Sequence, residues 1–214
     1  MKKFLGLISL VLLFNSSIVF AGNDKYVKGN VGIFMMEDST LNFESADVNV
    51  DIANMTFDTG FGLSVAAGQS LGNFDVELEF AYKNADFDKF EGKTFNINGF
   101  DITTPDSDLD DTIKIKTLMT NGIYNFKNNS SITPYIGAGL GIAWIDMEDF
   151  DGTEFAYQFL TGIDMAVNER LSLLVGYRYL GTGDISFEEY LGETYEVSAT
   201  IDSHNLEVGL KYSF

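Results

Sequence analysis

The 214-residue chain carries 13 Lys plus Arg against 32 Asp plus Glu, a formal net charge of −19, with 45% hydrophobic residues, 14% aromatic, 21 Gly, 2 Pro and no Cys. That is one domain's length with an ordinary apolar fraction, which excludes disorder, a collagen repeat and a disulfide scaffold. Without Cys there is no thiolate nucleophile, iron–sulfur cluster or Cys-zinc site, one His leaves little for a His-based metal centre, and the acidity opposes nucleic acid.

The N-terminus is read first. Lys2 and Lys3 precede an apolar run from Phe4 to Phe14, a polar break at Asn15 to Ser17, and Val19-Phe20-Ala21 before Gly22. This is the pattern of a secretory signal peptide with a small-residue cleavage site. The apolar run is short of the roughly 20 residues a membrane helix needs. The expected organisation is therefore a cleaved signal peptide, residues 1–21, followed by one domain, residues 22–214. Removing the first part takes away two lysines and no acid, so the exported domain is more acidic still.

The rest of the chain reads in period two, which only a strand turns into two faces. Residues 25–36 alternate clearly only in their second half. In 57–69, Phe57, Phe61, Leu63 and Val65 oppose Asp58, Gly60, Gly62 and Ser64, and in 73–84, Phe74, Val76, Leu78, Phe80 and Tyr82 oppose Asp75, Glu77, Glu79, Ala81 and Lys83. Residues 112–127 change phase, with Lys114 and Lys116 on the parity of Tyr124 and Phe126, and a bulge near Thr120 to Gly122 is one way to reconcile them. In 131–146, Pro134, Ile136, Ala138, Leu140, Ile142 and Trp144 oppose Tyr135, Gly137, Gly139, Gly141 and Ala143. The strands at 154–167, 170–181 and 201–214 complete the set, the last with Leu206, Val208, Leu210, Tyr212 and Phe214 on one face.

Eight strands, each long enough to cross a bilayer at a tilt, predict an all-β fold: an eight-stranded antiparallel transmembrane β-barrel in an up-and-down meander. Two features favour a lipid-facing apolar side over a soluble barrel or sandwich. The polar face mixes many glycines with large residues such as Arg178 and Tyr135, as a filled lumen requires. The connections also alternate: Ser70 to Gly72, Asn128 to Ser130 and Asn168 to Glu169 are tight, whereas Glu37 to Thr56, Ala85 to Asp111, Met147 to Thr153 and Thr182 to Thr200 are longer and acidic. Short periplasmic turns and longer outside loops explain that asymmetry. Tyr82, Trp144, Tyr157, Tyr177, Tyr179, Tyr212 and Phe214 lie toward strand ends, where an aromatic girdle belongs.

The last strand, together with Pro134-Tyr135-Ile136-Gly137-Ala138-Gly139-Leu140-Gly141 and Gly176-Tyr177-Arg178-Tyr179, resembles the eight-stranded surface-antigen family that includes opacity-type adhesins and OmpA/OmpX-like barrels. The resemblance implies insertion in the bacterial outer membrane, surface display and, in some members, adhesion. It also implies that Leu206, Val208, Leu210, Tyr212 and Phe214 form an assembly signal read by the barrel assembly machinery. Outer-membrane lipids and lipopolysaccharide are then the surroundings, with an extracellular or host ligand at the loops.

Candidate sites follow from the same phases. Lys28, Glu77, Glu79, Lys83, Arg178, Glu207 and Lys211 share the lumen, either as a paired network or as the lining of an ion path, and an eight-stranded lumen favours the filled reading. Gly137, Gly139 and Gly141 lack the strand-turn-helix setting of a phosphate loop and are expected to make packing room. Asp202, Ser203 and His204 resemble parts of outer-membrane proteases or lipases, yet adjacent Ser and His point to opposite sides of a strand, so His204 is expected to be a solvated rim residue. Asp106 to Asp111 offers hard oxygens for a divalent cation but lacks the EF-hand Gly and Glu, so a solvated acidic loop is expected. The chain is expected to be a monomeric surface antigen, adhesin or envelope-structural protein, with no catalytic residue, cofactor or resident metal and no further cell-wall domain. The alternatives are a small channel, or a lipid-modifying or proteolytic barrel.

Overall fold

The computed structural model describes residues 24–45, 48–97, 100–103, 105, 112–147, 150–183, 185–190, 194–199 and 201–214. The signal-peptide segment 1–21 and the acidic run Asp106 to Asp111 lie outside them.

Among the described residues fourteen strands follow in order: β1 Lys25–Met36, β2 Ser39–Ser45, β3 Val48–Phe57, β4 Gly60–Leu71, β5 Phe74–Gly92, β6 Thr94–Ile97, β7 Phe100–Thr103, β8 Thr112–Asn125, β9 Ile132–Met147, β10 Phe150–Ala166, β11 Leu171–Thr182, β12 Ile185–Tyr190, β13 Thr194–Ala199 and β14 Asp202–Ser213. Eight of them close on themselves. The hydrogen-bonded order β5-β4-β1-β14-β11-β10-β9-β8 is sealed by pairing of β5 with β8, and every pair is antiparallel. Closure leaves no free edge in the barrel wall, so its backbone donors and acceptors are paired without water.

The three short connections all lie at one end, where Tyr26 also pairs with Ser213. At the opposite end the connections are not the irregular loops expected from the sequence. β2 and β3 form a hairpin, β3 pairs with the upper part of β5, and β13 pairs with both β12 and β2. The sheet order β12-β13-β2-β3-β5 thus carries the barrel wall outward as one continuous surface. Accordingly β5 runs to Gly92, well past the expected end at 84, β10 begins at Phe150, and Phe57 belongs to β3 and not to the following barrel strand.

Two further expectations are corrected. β8 holds one phase throughout, with Ile113, Ile115, Thr117, Met119, Asn121, Ile123 and Asn125 buried, and its registers with β5 and β9 run without interruption. No bulge is needed, because the hydrophobic pattern itself inverts near the outer end: beyond the hydrocarbon the outward positions become Lys114 and Lys116, while the inward ones become Ile113 and Ile115. β1 likewise alternates along its whole length, with Tyr26, Lys28, Asn30, Phe34 and Met36 buried.

The outer wall is apolar. Val31, Val65, Ile136, Leu140, Phe159, Leu206, Val208 and Leu210 are all exposed, with Leu210 54% accessible. Side chains of this kind left bare around a closed barrel mark the surface that meets lipid.

Candidate functional site

The lumen is filled in two tiers. In the tier nearer the short turns, polar side chains from β5, β10 and β14 converge on Arg178 of β11, which is 1% exposed. Its guanidinium donates through Nη1 to Glu79 Oε1, through Nη2 to Glu79 Oε2 at 2.8 Å, and through Nη2 to Glu207 Oε2 at 3.1 Å, while Nε lies 2.8 Å from Glu207 Oε1. Gln158 accepts from Arg178 Nη1 at 3.1 Å and donates to Asn121 Oδ1 at 2.7 Å and Glu79 Oε1 at 3.2 Å. Below this layer Lys28 Nζ lies 2.6 Å from Glu77 Oε2, and the Tyr26 hydroxyl donates to Glu77 Oε1 at 2.6 Å. Lys211 pairs with Asp164 at 2.6 Å.

Period two put these residues on the inner face but left their partners open, and the structure sorts them. Glu79, Arg178 and Glu207 form one knot, Glu77 and Lys28 a second, and Lys211 a third with Asp164, a residue absent from the sequence-based set. Tyr26, Asn121 and Gln158 were missed too; their inward parity was the signal, but uncharged side chains do not announce pairing. Lys83 stands apart. Its Nζ has no hydrogen-bond partner among the described residues and sits 5.4 Å from the centre of the Phe34 ring. Gly139 leaves the room this packing needs, since a Cβ there would fall 2.0 Å from Asn121 Oδ1.

The tier nearer the long connections is hydrocarbon. Phe34, Met36, Ala85, Ile113, Ile115, Met119, Ala143, Ile145, Ala156, Leu180 and Ile201 form one buried cluster across the barrel's upper interior. Between the walls lie small voids, about 10 Å³ beside Lys83 and Asn205 and about 20 Å³ beside Lys28 and Tyr135. Each is on the scale of a single water.

The chemistry-bearing residues of β14 separate as strand geometry requires. Ser203 points inward and is fully buried, whereas His204 is on the outer wall. His204 is not merely a solvated rim side chain: Nδ1 is 2.5 Å from the Tyr177 hydroxyl and Nε2 is 2.5 Å from Glu37 Oε1. A carboxylate can only accept, so Nε2 donates to Glu37. Beside them the Tyr179 hydroxyl donates to Asp202 Oδ1 at 2.5 Å. Leu206, Val208, Leu210, Tyr212 and Phe214 follow on the same outer face, all exposed.

A family model described as surface antigen matches residues 22–213. Outer membrane protein PagN of Salmonella typhimurium is 26% identical over 121 residues, covering 48% of this chain and 51% of that protein. Major surface antigen 4 of Anaplasma marginale is 27% identical over 171 residues, covering 70% of this chain and 60% of that protein. The chain therefore spans between half and two thirds of the length of these curated relatives. Among solved structures, the outer membrane protein OprG of Pseudomonas aeruginosa superposes with a TM-score of 0.53 at 17% identity, covering 90% of this chain and 97% of that one. Neisserial surface protein A gives 0.50 at 20% identity, covering 89% and 97%. The shared fold is the closed eight-stranded barrel of the bacterial outer membrane, and the apolar outer wall is the face that this membrane covers.

Proposed function

The chain belongs to the surface antigen family, and from that premise we propose that it is a display protein: a sealed, non-enzymatic barrel that anchors an acidic binding surface outside the cell, as an adhesin or host-factor binder. The observation that carries this reading is the sheet β12-β13-β2-β3-β5, which joins three of the four long connections into one platform. Of the three connections in this platform, residues 37–56 and 182–200 contain several acids and no Lys or Arg, and residues 85–111 carry eight acids against Lys89 and Lys93, so each is net negative. A surface of one sign steers a cationic partner toward it and loses that advantage as salt rises.

The filled lumen supports the same reading, because an ion path would have to cross both the Arg178 knot and the apolar tier. The placement of Ser203 and His204 on opposite sides of the wall speaks against a hydrolase built from that pair.

The test is adhesion to host cells by vesicles carrying the refolded protein, compared with a variant in which residues 185–199 are replaced by a short Gly-Ser linker. Adhesion should fall to background while the barrel keeps its folded electrophoretic mobility. A folded variant that adheres as well as the full chain would sink the proposal. Single-channel recording on the same preparation should be silent; repeatable conductance steps would instead favour the channel.

A further inference from the structure

The outer wall carries a groove that the display function does not use. It has a volume of about 550 Å³ and is walled by Val31 and Ile33 of β1, Phe61 of β4, Val175 of β11, and Leu206 and Val208 of β14. Its floor is backbone. At Gly32 a Cβ would fall 2.1 Å from the Leu206 carbonyl oxygen, so the course of the chain along that floor admits no larger residue. The groove is a shallow, open depression in the wall and not an enclosed cavity, so it offers a bed for a chain lying along the barrel surface.

The register places a polar cluster directly above this groove. Leu206 is opposite both Ile33 and Tyr177, and one step outward His204 is opposite both Met35 and Tyr179. The Tyr177–His204–Glu37 hydrogen-bonded chain and the Tyr179–Asp202 pair therefore cap the groove at its outer end. The rings are packed together: Tyr177 stacks on His204 with centroids 5.9 Å apart, Tyr179 lies 5.6 Å from His204, and Phe159 stacks on Tyr179 at 6.4 Å.

Two carboxylates set among aromatic faces repel an anion and attract an ammonium group, through charge pairing and through the electron-rich rings. A hydrocarbon slot below such a cap fits one class of molecule. We propose that this wall binds a single amine-bearing lipid of the surrounding bilayer, its acyl chain in the Val31–Ile33–Leu206–Val208 groove and its ammonium at Glu37, Asp202 and the Tyr177 and Tyr179 rings. The groove lies on the face that the hydrocarbon covers, so lipid is already its neighbour; the cap supplies the headgroup selectivity. This site requires only that the barrel sits in a membrane and does not depend on what the outer sheet binds.

The experiment uses the folded protein in vesicles of equal ethanolamine and glycerol phospholipids with identical chains, extracted into mild detergent and weighed intact by native mass spectrometry. Ethanolamine lipid should be retained over glycerol lipid by about five- to tenfold, the ratio that one or so kcal/mol of cation–aromatic and ionic attraction gives. Glu37→Gln should bring that ratio toward one. Ile33→Trp, and separately Val175→Phe from the opposite wall, fill the slot with apolar bulk and should lower the lipid bound per barrel. All three variants must first show the folded electrophoretic mobility. Equal retention of both headgroups, or retention untouched by the filled groove, would overturn the proposal, as would barrel dimers in place of bound lipid.

Discussion

The two tiers of the lumen solve the same problem with opposite chemistry. Around Arg178 the interior is filled by charges that are tolerable only because each is met by another, and removing one partner leaves a buried ion without compensation. Around Ile113, Ile115 and Phe34 it is filled by hydrocarbon, which needs no partner but must match its neighbours in volume. The charged tier therefore depends on identity and geometry, and the apolar tier on shape. Sealing belongs to both, since both fill the cross-section of the lumen with buried side chains.

The sharpest way to test this contrast is to break the knot. Glu79→Ala strands Arg178 and should cost about 3–5 kcal/mol of stability in denaturant unfolding from vesicles, whereas replacing the pair together, Glu79→Leu with Arg178→Met, should recover most of it. If the double variant is no better than the single one, the tier is not governed by pairing. In the apolar tier, Ile115→Ala should cost about 2–5 kcal/mol, and a slightly smaller residue such as Val should restore all but about 1 kcal/mol. Conductance separates the tiers differently: Glu79→Ala alone should stay silent in a planar bilayer because the hydrocarbon still blocks the path, and current should appear only when Ile115→Ala and Ile145→Ala are added. Current from the single variant would show that the upper tier does not seal. The smallest effect is expected at the boundary between the tiers. Lys83, with no hydrogen-bond partner among the described residues, should accept Lys83→Met at a cost below about 1.5 kcal/mol in the same unfolding assay.

Much of the barrel was legible because lipid imposes one rule on eight strands at once. From Asn205 to Ser213, or from Phe74 to Lys83, a residue is either against hydrocarbon or inside, and the two demands alternate without exception. That rule ends where the strand leaves the membrane. Ile113 and Ile115 then sit inside and Lys114 and Lys116 outside, which in a one-dimensional pattern looks like a slipped phase and is in fact the edge of the bilayer. The outer sheet was hidden for the same reason. Its strands have no lipid to face, one shifts register between Leu41 and Asn42, and their acid-rich composition reads as solvated loop. The cap around His204 was hidden by distance along the chain: Glu37 and His204 are 167 residues apart and meet only because β1 and β14 close the barrel. The inward set could be found from parity, but which acid meets which base depends on stagger between strands, and no single strand records that.

β5 passes from the membrane into the outer sheet as one strand of 19 residues. At about 3.3 Å per residue it is some 60 Å long, against an apolar band roughly 25 Å tall. Its lower part is bonded along both edges, to β4 and β8, and its upper part is bonded to β3. A pull on the outer sheet would therefore run down a continuous strand and load many parallel hydrogen bonds along their shear direction at once, instead of peeling them one at a time. The outer sheet is thus mechanically spliced to the barrel in the membrane, and a load on it is carried by the wall itself and not by a flexible stalk.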